Sequence, residues 1–217
     1  SAASDVYKRQ VFAQAEALER IAAVVVVDND PDGSAAPLAE RLRYQGPLPL
    51  AYVHAPIPGV ATARNAGLAA TDAPLIAFLD DDEAASPRWL AALLEAQVQT
   101  GADVLFGPIR GRVPDDAGWT TAYLERFFGR QGPLRNGLTD DLHGCGNTLM
   151  VRQTALPGPA PFDVAMNETG GEDDRLFTAL MKRGGRFGWA ADAWVDEFAP
   201  PHRATLAYAL TLSLIHI

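Results

Sequence analysis

A run of four acidic residues is the clearest chemical feature of the sequence. Asp80, Asp81, Asp82 and Glu83 follow the apolar run 75–79 directly. Carboxylates this close repel one another and raise one another's pKa unless a cation neutralises them. Carboxylate oxygens suit Mg²⁺ or Mn²⁺, which can bridge protein to a substrate diphosphate. The run therefore predicts a metal and diphosphate site, with a solvated acidic loop before the helix at Pro87 as the alternative.

A second acidic site is expected where a helix begins. Gly170 and Gly171 precede Glu172 and Asp173, and an apolar helical pattern follows them. Carboxylates in a first helical turn are favoured by the helix dipole. One of these two acids can serve as a general base, and ordinary helix capping is the alternative.

Polar residues at the end of one predicted strand and on one predicted helix are further candidates for ligand contacts. Asp28 and Asn29 follow a β-branched run, where an Asp can accept hydrogen bonds from a ribose or a base. Taken alone, such an Asp is more often a turn-former. Arg64 and Asn65 lie in a predicted helix and can contact a diphosphate or a sugar, or belong to the helix surface.

Strand and helix patterns alternate along the first half of the chain. Val24–Val27 predicts a strand buried on both faces, because a continuous β-branched run is typical of parallel sheets. The predicted strands are 22–27, 48–53, 75–79, 104–113, 147–152 and 186–198, and the predicted helices are 11–20, 35–44, 59–70, 87–100, 119–129 and 171–183. The pattern predicts one α/β domain with a mostly parallel sheet covered by helices. Ligands of such sheets bind at the carboxyl ends of the strands, where the acidic run lies.

Composition narrows the class of protein. Of the 217 residues 48% are apolar and 21% charged, and the net charge is −9. This balance supports a folded core and argues against a nucleic-acid partner, which needs a basic surface. The single cysteine, Cys145, fits a reducing compartment and is expected to be a small core residue. No apolar run reaches the roughly 20 residues of a membrane span, and residues 1–10 lack the apolar region of a secretory signal.

The two ends of the chain resemble translated sequencing adapter. One coding of Leu212–Ile217, CTG TCT CTT ATA CAC ATC, has a reverse complement that translates as the residues found at 5–10. We therefore expect 1–10 and 212–217 to be adapter-derived and 11–211 to be a catalytic domain truncated at both ends. The alternative is a helical start and an apolar tail.

The order of the motifs resembles a known enzyme family. The segments 25–29, 59–67 and 78–83 with Pro87 and Trp89, followed by 171–173, are similar to inverting family 2 glycosyltransferases of the GT-A fold. The segments 107–108, 146–147 and 195–197 resemble the succinoglycan-biosynthesis glucosyltransferase type.

The resemblance implies roles for the matching residues. Asp28 and Asn29 would bind the nucleotide, and Arg64 and Asn65 the diphosphate or sugar. Asp80 and Asp82 would form an Asp-x-Asp pair that holds Mg²⁺ or Mn²⁺, with Asp81 between them. Asp173 would be the base that deprotonates the acceptor hydroxyl, with Glu172 beside it.

The resemblance also implies the substrates. The donor would be a nucleotide-diphosphate sugar, UDP-glucose or another UDP-hexose, and the acceptor a polysaccharide or lipid-linked saccharide. Transfer would invert the anomeric centre. We expect a cytoplasmic protein, with peripheral association of the full-length protein at the inner face of the cell membrane.

Two departures from the family pattern leave alternatives open. The family's first strand should precede Val11, so we expect an open sheet edge and weak or no activity in this chain. Asp196 and Glu197 stand where many relatives carry a His. A nucleotidyltransferase and an inactive nucleotide- or glycan-binding domain are the alternative functions.

Overall fold

A computed structural model describes residues 14 and 16–209, except for the side chains of 115–117. The strands are β1 Val24–Asp28, β2 Leu50–His54, β3 Leu75–Phe78, β4 Glu83–Ala85, β5 Val104–Phe106, β6 Ile109–Arg112, β7 Gly137–Leu138, β8 Thr148–Val151, β9 Phe187–Trp189 and β10 Val195–Phe198. The α-helices are α1 Ala36–Gln45, α2 Val60–Ala69, α3 Trp89–Thr100, α4 Thr121–Phe128, α5 Arg152–Ala155 and α6 Glu172–Lys182. Short 3₁₀ helices cover Leu18–Arg20, Asp115–Thr120 and Val164–Met166. The tails at 1–10 and 212–217, and residues 11–13 and 15 of the helix predicted at 11–20, lie outside the described residues. In the described part of that predicted helix, only the 3₁₀ helix Leu18–Arg20 is helical.

The predicted α/β class is confirmed, but the strand pairing is mixed rather than mostly parallel. A five-stranded sheet has the order β3-β8-β5-β9-β7, a three-stranded sheet the order β4-β10-β6, and β1 pairs with β2. The pairs β1–β2, β5–β9 and β6–β10 are parallel, whereas β3–β8, β5–β8, β7–β9 and β4–β10 are antiparallel. Two of the antiparallel pairs arise because β8, from the later part of the chain, lies between β3 and β5 and runs against both.

Helices cover both faces of the five-stranded sheet. Side chains alternate along a strand, so Leu105 packs with the buried face of α3, while Phe106 packs with Phe177 of α6. β8 divides in the same way, with Leu149 on the α3 side and Met150 on the α6 side. These two apolar clusters anchor the sheet that carries the acidic run at the end of β3.

Two strands predicted as continuous are interrupted. The predicted strand 104–113 breaks into β5 and β6 at Gly107 and Pro108, where the Gly107 N–H donates to the carbonyl of Asn147 rather than to a neighbouring strand. A Cβ on Gly107 would lie 2.5 Å from the carbonyl oxygen of Ala193, so only glycine fits. The predicted strand 186–198 likewise divides into β9 and β10.

The strand β1 is less enclosed than its sequence predicts. Val24–Val27 are half-buried rather than buried, and among the described strands β1 pairs only with β2. β3 pairs only with β8 among the described strands, and Ala77 on it is exposed. Across the described residues, no helix has both the length and the apolar composition that a membrane crossing requires.

Asp28 organises the turn between β1 and α1. The residue is 5% exposed, and its carboxylate accepts hydrogen bonds from the Ala35 N–H at 2.7 Å, the Tyr52 hydroxyl at 2.9 Å and the Asp30 N–H at 3.1 Å. Burial raises the pKa of Asp28, but these hydrogen bonds outweigh it and the net shift is downward. The Ser34 side chain hydrogen-bonds the neighbouring carboxylate of Asp30.

We predict that Asp28→Asn lowers the free energy of unfolding by about 1–3 kcal/mol at pH 7, because an amide nitrogen will face the donors that the carboxylate now satisfies. Since the pKa of Asp28 is lowered on folding, its contribution is present above its ordinary value of 3.8 and is lost as the pH falls through the folded-state value. The difference between the two proteins should therefore shrink at pH 3. Urea unfolding at pH 7 and pH 3 measures it, with the exposed Asp32→Asn as control; equal losses in both variants at pH 7 would refute the assignment.

Candidate functional site

A cavity of about 290 Å³ lies where the end of β3, α2, the start of α6 and the loop before β8 meet. It brings together three of the residues that the sequence predicted for the site: Arg64, Asp80 and Asp173. The other residues that line it are Glu83, Ile109, Arg130, Gly144, Cys145, Gly146 and Glu197.

Arg64 joins the acidic run to the acids of α6. Its side chain is 11% exposed, and its guanidinium forms a short ion pair with Glu172. The same guanidinium lies 3.9 Å from Asp80 Oδ1 and 3.9 Å from Asp173 Oδ2. Arg64 therefore belongs to the interior of the site, and the helix-surface alternative does not apply to it.

The start of α6 aims Asp173 into the cavity. Gly170 and Gly171 have φ values of 74° and 85°, a left-handed backbone that glycine adopts without strain. Asp173 Oδ2 accepts a hydrogen bond of 2.9 Å from the Cys145 N–H. Glu172 has only 8% of its side chain exposed and is held by Arg64, so Asp173 is the member of the pair that faces the cavity.

The three aspartates of the acidic run differ in exposure and in their contact with the cavity. Asp80 has 48% of its side chain exposed and lines the cavity, whereas Asp81 is exposed and Asp82 half-buried. Burial raises the pKa of Asp82, and the negative charges of Asp80 and Asp81 raise it further. Of the three aspartates, only Asp80 lines the cavity.

Glu83 and Glu197 enlarge the cluster, and neither was among the predicted site residues. Glu83 is 2% exposed, begins β4 and accepts a hydrogen bond of 3.0 Å from the Asp80 N–H. Glu197 lies directly opposite Glu83 in the β4–β10 ladder. Burial raises the pKa of Glu83 to about 8 and that of Glu197 to about 7, and neighbouring carboxylates add to both shifts. Glu83 was visible as a member of the acidic run, whereas the approach of Glu197 depends on long-range strand pairing.

The donor atoms suit a metal that takes part of its coordination from a substrate. Among residues 14 and 16–209, no group of three or more His, Cys, Asp or Glu side chains is arranged to hold a metal ion. Mg²⁺ is commonly bound by one or two carboxylates together with substrate phosphates. Asp80 and Asp82 are the two carboxylates of the acidic run that could hold such an ion, and the charge of Asp80 contributes to the raised pKa of Asp82.

The remaining predicted residues do not line the cavity. Asn29 donates to the carbonyls of Ala55 and Ile57 and accepts from the Gly59 N–H, so it ties the end of β2 to the start of α2. Asn65 binds both the carbonyl and the N–H of Phe162. Asp28 lies beside Asn29 at the end of β1.

Cys145 is confirmed as a buried residue. It is 1% exposed, and burial raises the pKa of its thiol to about 12. The thiol is therefore neutral at pH 7, and the contribution of this residue to the site is its backbone N–H.

Comparison with known proteins decides the family. The model of the family described as "Glycosyl transferase family 2" matches residues 9–156. The chain belongs to this family. It is also 36% identical over 189 residues to the succinoglycan biosynthesis protein ExoM of Rhizobium meliloti (strain 1021), a match that covers 85% of this chain and 59% of the relative. The chain thus spans less than two thirds of that protein's length.

Two solved structures show the same fold at low sequence identity. GalNAc-T7, crystallised with UDP, GalNAc and Mn²⁺, has a TM-score of 0.61 and 15% identity over 89% of this chain and 42% of its own. Residues 1–349 of S. aureus TarS, in complex with UDP, have a TM-score of 0.62 and 15% identity over 90% of this chain and 56% of their own. The predicted GT-A fold of this family 2 glycosyltransferase is confirmed.

Asn147 is the buried residue that secures the loop beneath the cavity. It is fully buried with a φ of 52°, accepts from the Trp89 indole N–H and donates to the carbonyls of Pro108 and Ala193. Its side chain therefore joins three separate segments of the chain.

We predict that Asn147→Ala lowers the free energy of unfolding by about 2–4 kcal/mol, because it leaves one buried donor and two carbonyls without their partner. Chemical denaturation measures the loss. The control is Asn136→Ala, which removes two hydrogen bonds at a less buried position and should cost about 1 kcal/mol. Equal losses of unfolding free energy in the two variants would contradict the conclusion that the Asn147 side chain joins three segments of the chain.

Proposed function

We propose that the full-length protein transfers a hexosyl group, glucose from UDP-glucose, to a polysaccharide or lipid-linked saccharide acceptor, with inversion and with the help of Mg²⁺ or Mn²⁺. Membership of family 2 supports glycosyl transfer over the nucleotidyl-transfer alternative. The relative named for succinoglycan biosynthesis favours an exopolysaccharide acceptor. The two similar structures, crystallised with UDP, favour a uridine nucleotide donor. We further propose that the protein acts in the cytoplasm at the inner face of the membrane.

One observation carries the proposal: Asp80 and Asp173 line the same cavity, and each has a carboxylate oxygen 3.9 Å from the guanidinium of Arg64. A displacement reaction needs a group that stabilises the leaving diphosphate and a base that activates the acceptor. Asp80 and Asp173 place one carboxylate for each of these two tasks in a single cavity. Their separation into two roles follows from their environments, since Asp80 belongs to a carboxylate cluster and Asp173 to a helix N-terminus.

On the donor side, Asp80 and Asp82 would hold the metal. The bound ion would offset the negative charge that develops on the departing nucleoside diphosphate. Asn29 holds the start of α2, and Arg64 lies five residues along that helix, about 7.5 Å at 1.5 Å per residue. Asn29 therefore lies only a short distance from Arg64, and we propose that Asp28 and Asn29 contact the nucleotide.

On the acceptor side, Asp173 would take the proton of the attacking hydroxyl. The hydroxyl oxygen forms a bond to the anomeric carbon as the bond from that carbon to the diphosphate oxygen breaks, and the proton passes to a carboxylate oxygen of Asp173. Attack from the face opposite the leaving group inverts the anomeric centre in one step. The Cys145 N–H holds the Oδ2 of Asp173 during this step, and Glu172 acts through its ion pair with Arg64.

We predict that UDP with Mn²⁺ raises the melting temperature of the full-length protein by about 5–10 °C at a concentration near a hundred times Kd, by linkage. Asp82→Ala should abolish the part of the shift that needs the metal. Asp72→Ala, at the other end of β3 and exposed, is the matched control and should leave the shift unchanged. A shift that is equal without metal and is retained in Asp82→Ala would remove the metal assignment.

We predict that Asp173→Asn reduces hexosyl transfer by about 10²–10⁴-fold, the contribution of a general base, while UDP affinity stays within about threefold. Initial rates with a labelled sugar donor and calorimetry with UDP measure the two effects. The adjacent exposed Asp174→Asn is the control and should retain activity. A large loss of UDP affinity in Asp173→Asn would point to a structural role for this carboxylate.

A further inference from the structure

Arg130 lines the cavity, yet within the described part of the chain the hydrogen bonds of its side chain go to backbone carbonyls. Its Nε donates to Gly107 at 2.8 Å, and its Nη1 to Gly144 at 2.9 Å. Its Nη2 donates to Gly146 at 2.7 Å and to Asn147 at 3.0 Å. One guanidinium thus joins the break between β5 and β6 to the loop that precedes β8, residues 144–147.

The backbone of Arg130 is fixed independently of its side chain. Its N–H donates to the Ile109 carbonyl at 2.9 Å, and its own carbonyl accepts from the Ile109 N–H at 2.8 Å. Burial lowers the pKa of Arg130 to about 10, and the nearby charges of Glu83 and Glu197 favour its charged form. The guanidinium of Arg130 is therefore charged at pH 7 and held in a fixed position.

The loop 144–147 contacts both Asp173, the proposed base, and Asp80 of the acidic run. Cys145 gives its N–H to Asp173. Gly146 lies so close to the acidic run that a Cβ on it would be 2.7 Å from Asp80 Oδ2. A change in the path of this loop would therefore move the hydrogen bond that orients Asp173.

We propose that Arg130 is a positioning residue for Asp173: by holding the carbonyls of loop 144–147, it places the Cys145 N–H where it orients the carboxylate toward the acceptor hydroxyl. This inference rests on the function proposed above. Arg130 acts through the loop and has no hydrogen bond to the carboxylate. The guanidinium of Arg130 binds four carbonyls through three nitrogens held in one plane, whereas a lysine has three donors on a single nitrogen and cannot span the same carbonyls.

The chain contains a matched arginine outside the site. Arg152 donates from Nε to the Ala73 carbonyl at 2.9 Å and from Nη2 to the carbonyls of Leu68 and Thr71 at 3.1 and 2.7 Å. It closes the turn between α2 and β3 with the same chemistry and does not line the cavity. A purely structural role for Arg130 would make its variants behave like those of Arg152.

The test compares Arg130→Lys with Arg152→Lys in the full-length protein. We expect Arg130→Lys to lower kcat by about tenfold or more, since a small misplacement of a reacting group can cost up to about 10²-fold. UDP affinity should stay within about threefold. Arg152→Lys should lower the melting temperature by a similar amount and retain kcat at temperatures well below melting.

A double-variant cycle with Asp173→Glu gives a second measurement. If Arg130 acts through Asp173, the loss of kcat in the double variant will be smaller than the product of the two single losses. Losses of kcat that multiply in the double variant would overturn the inference. So would equal kcat values for Arg130→Lys and Arg152→Lys, or a failure of Arg130→Lys alone to fold. A wild-type protein that neither binds UDP nor transfers sugar would overturn the proposed function instead.

Discussion

Repulsion among carboxylates is the constraint on which the rest of the site depends. Asp80, Glu83, Asp173 and Glu197 surround one cavity, and burial raises the pKa of both glutamates toward or above neutrality. Carboxylates that share so small a space are stable only when cations or hydrogen-bond donors offset their charge. In a donor complex of the kind we propose, a divalent ion would supply part of that charge and the diphosphate would balance it.

Two arginines offset the charge in different ways. Arg64 forms an ion pair with Glu172 and lies within 3.9 Å of Asp80 and Asp173, so it fixes the carboxylates relative to one another. Arg130 binds carbonyls and fixes the loop that contacts them. The helices α2 and α6 matter to function because they present Arg64 and Asp173 to the end of β3. The two apolar clusters on either side of the five-stranded sheet hold that geometry in place.

The sequence was sufficient for the fold class, the family and three residues of the cavity. Asp80 and Asp173 stand out locally, because acids after an apolar strand or at a helix start form short patterns. The Gly107-Pro108 pair marks the break in 104–113 locally, whereas its packing against Asn147 and Ala193, which are distant in sequence, was not predictable. Arg130 left no signal at all, because a carbonyl partner can belong to any residue type. The hydrogen bond from Tyr52 to Asp28 was not predictable from the sequence either, because Tyr52 comes close to Asp28 only through the pairing of β1 with β2.

Anomalous diffraction from a crystal of the full-length protein with UDP and Mn²⁺ tests the central claim most directly. The account predicts a manganese peak coordinated by the carboxylates of Asp80 or Asp82 and by the diphosphate of UDP, in the cavity that Asp173 also lines. UDP bound away from this cavity, or a manganese ion with no ligand from the acidic run, would contradict it.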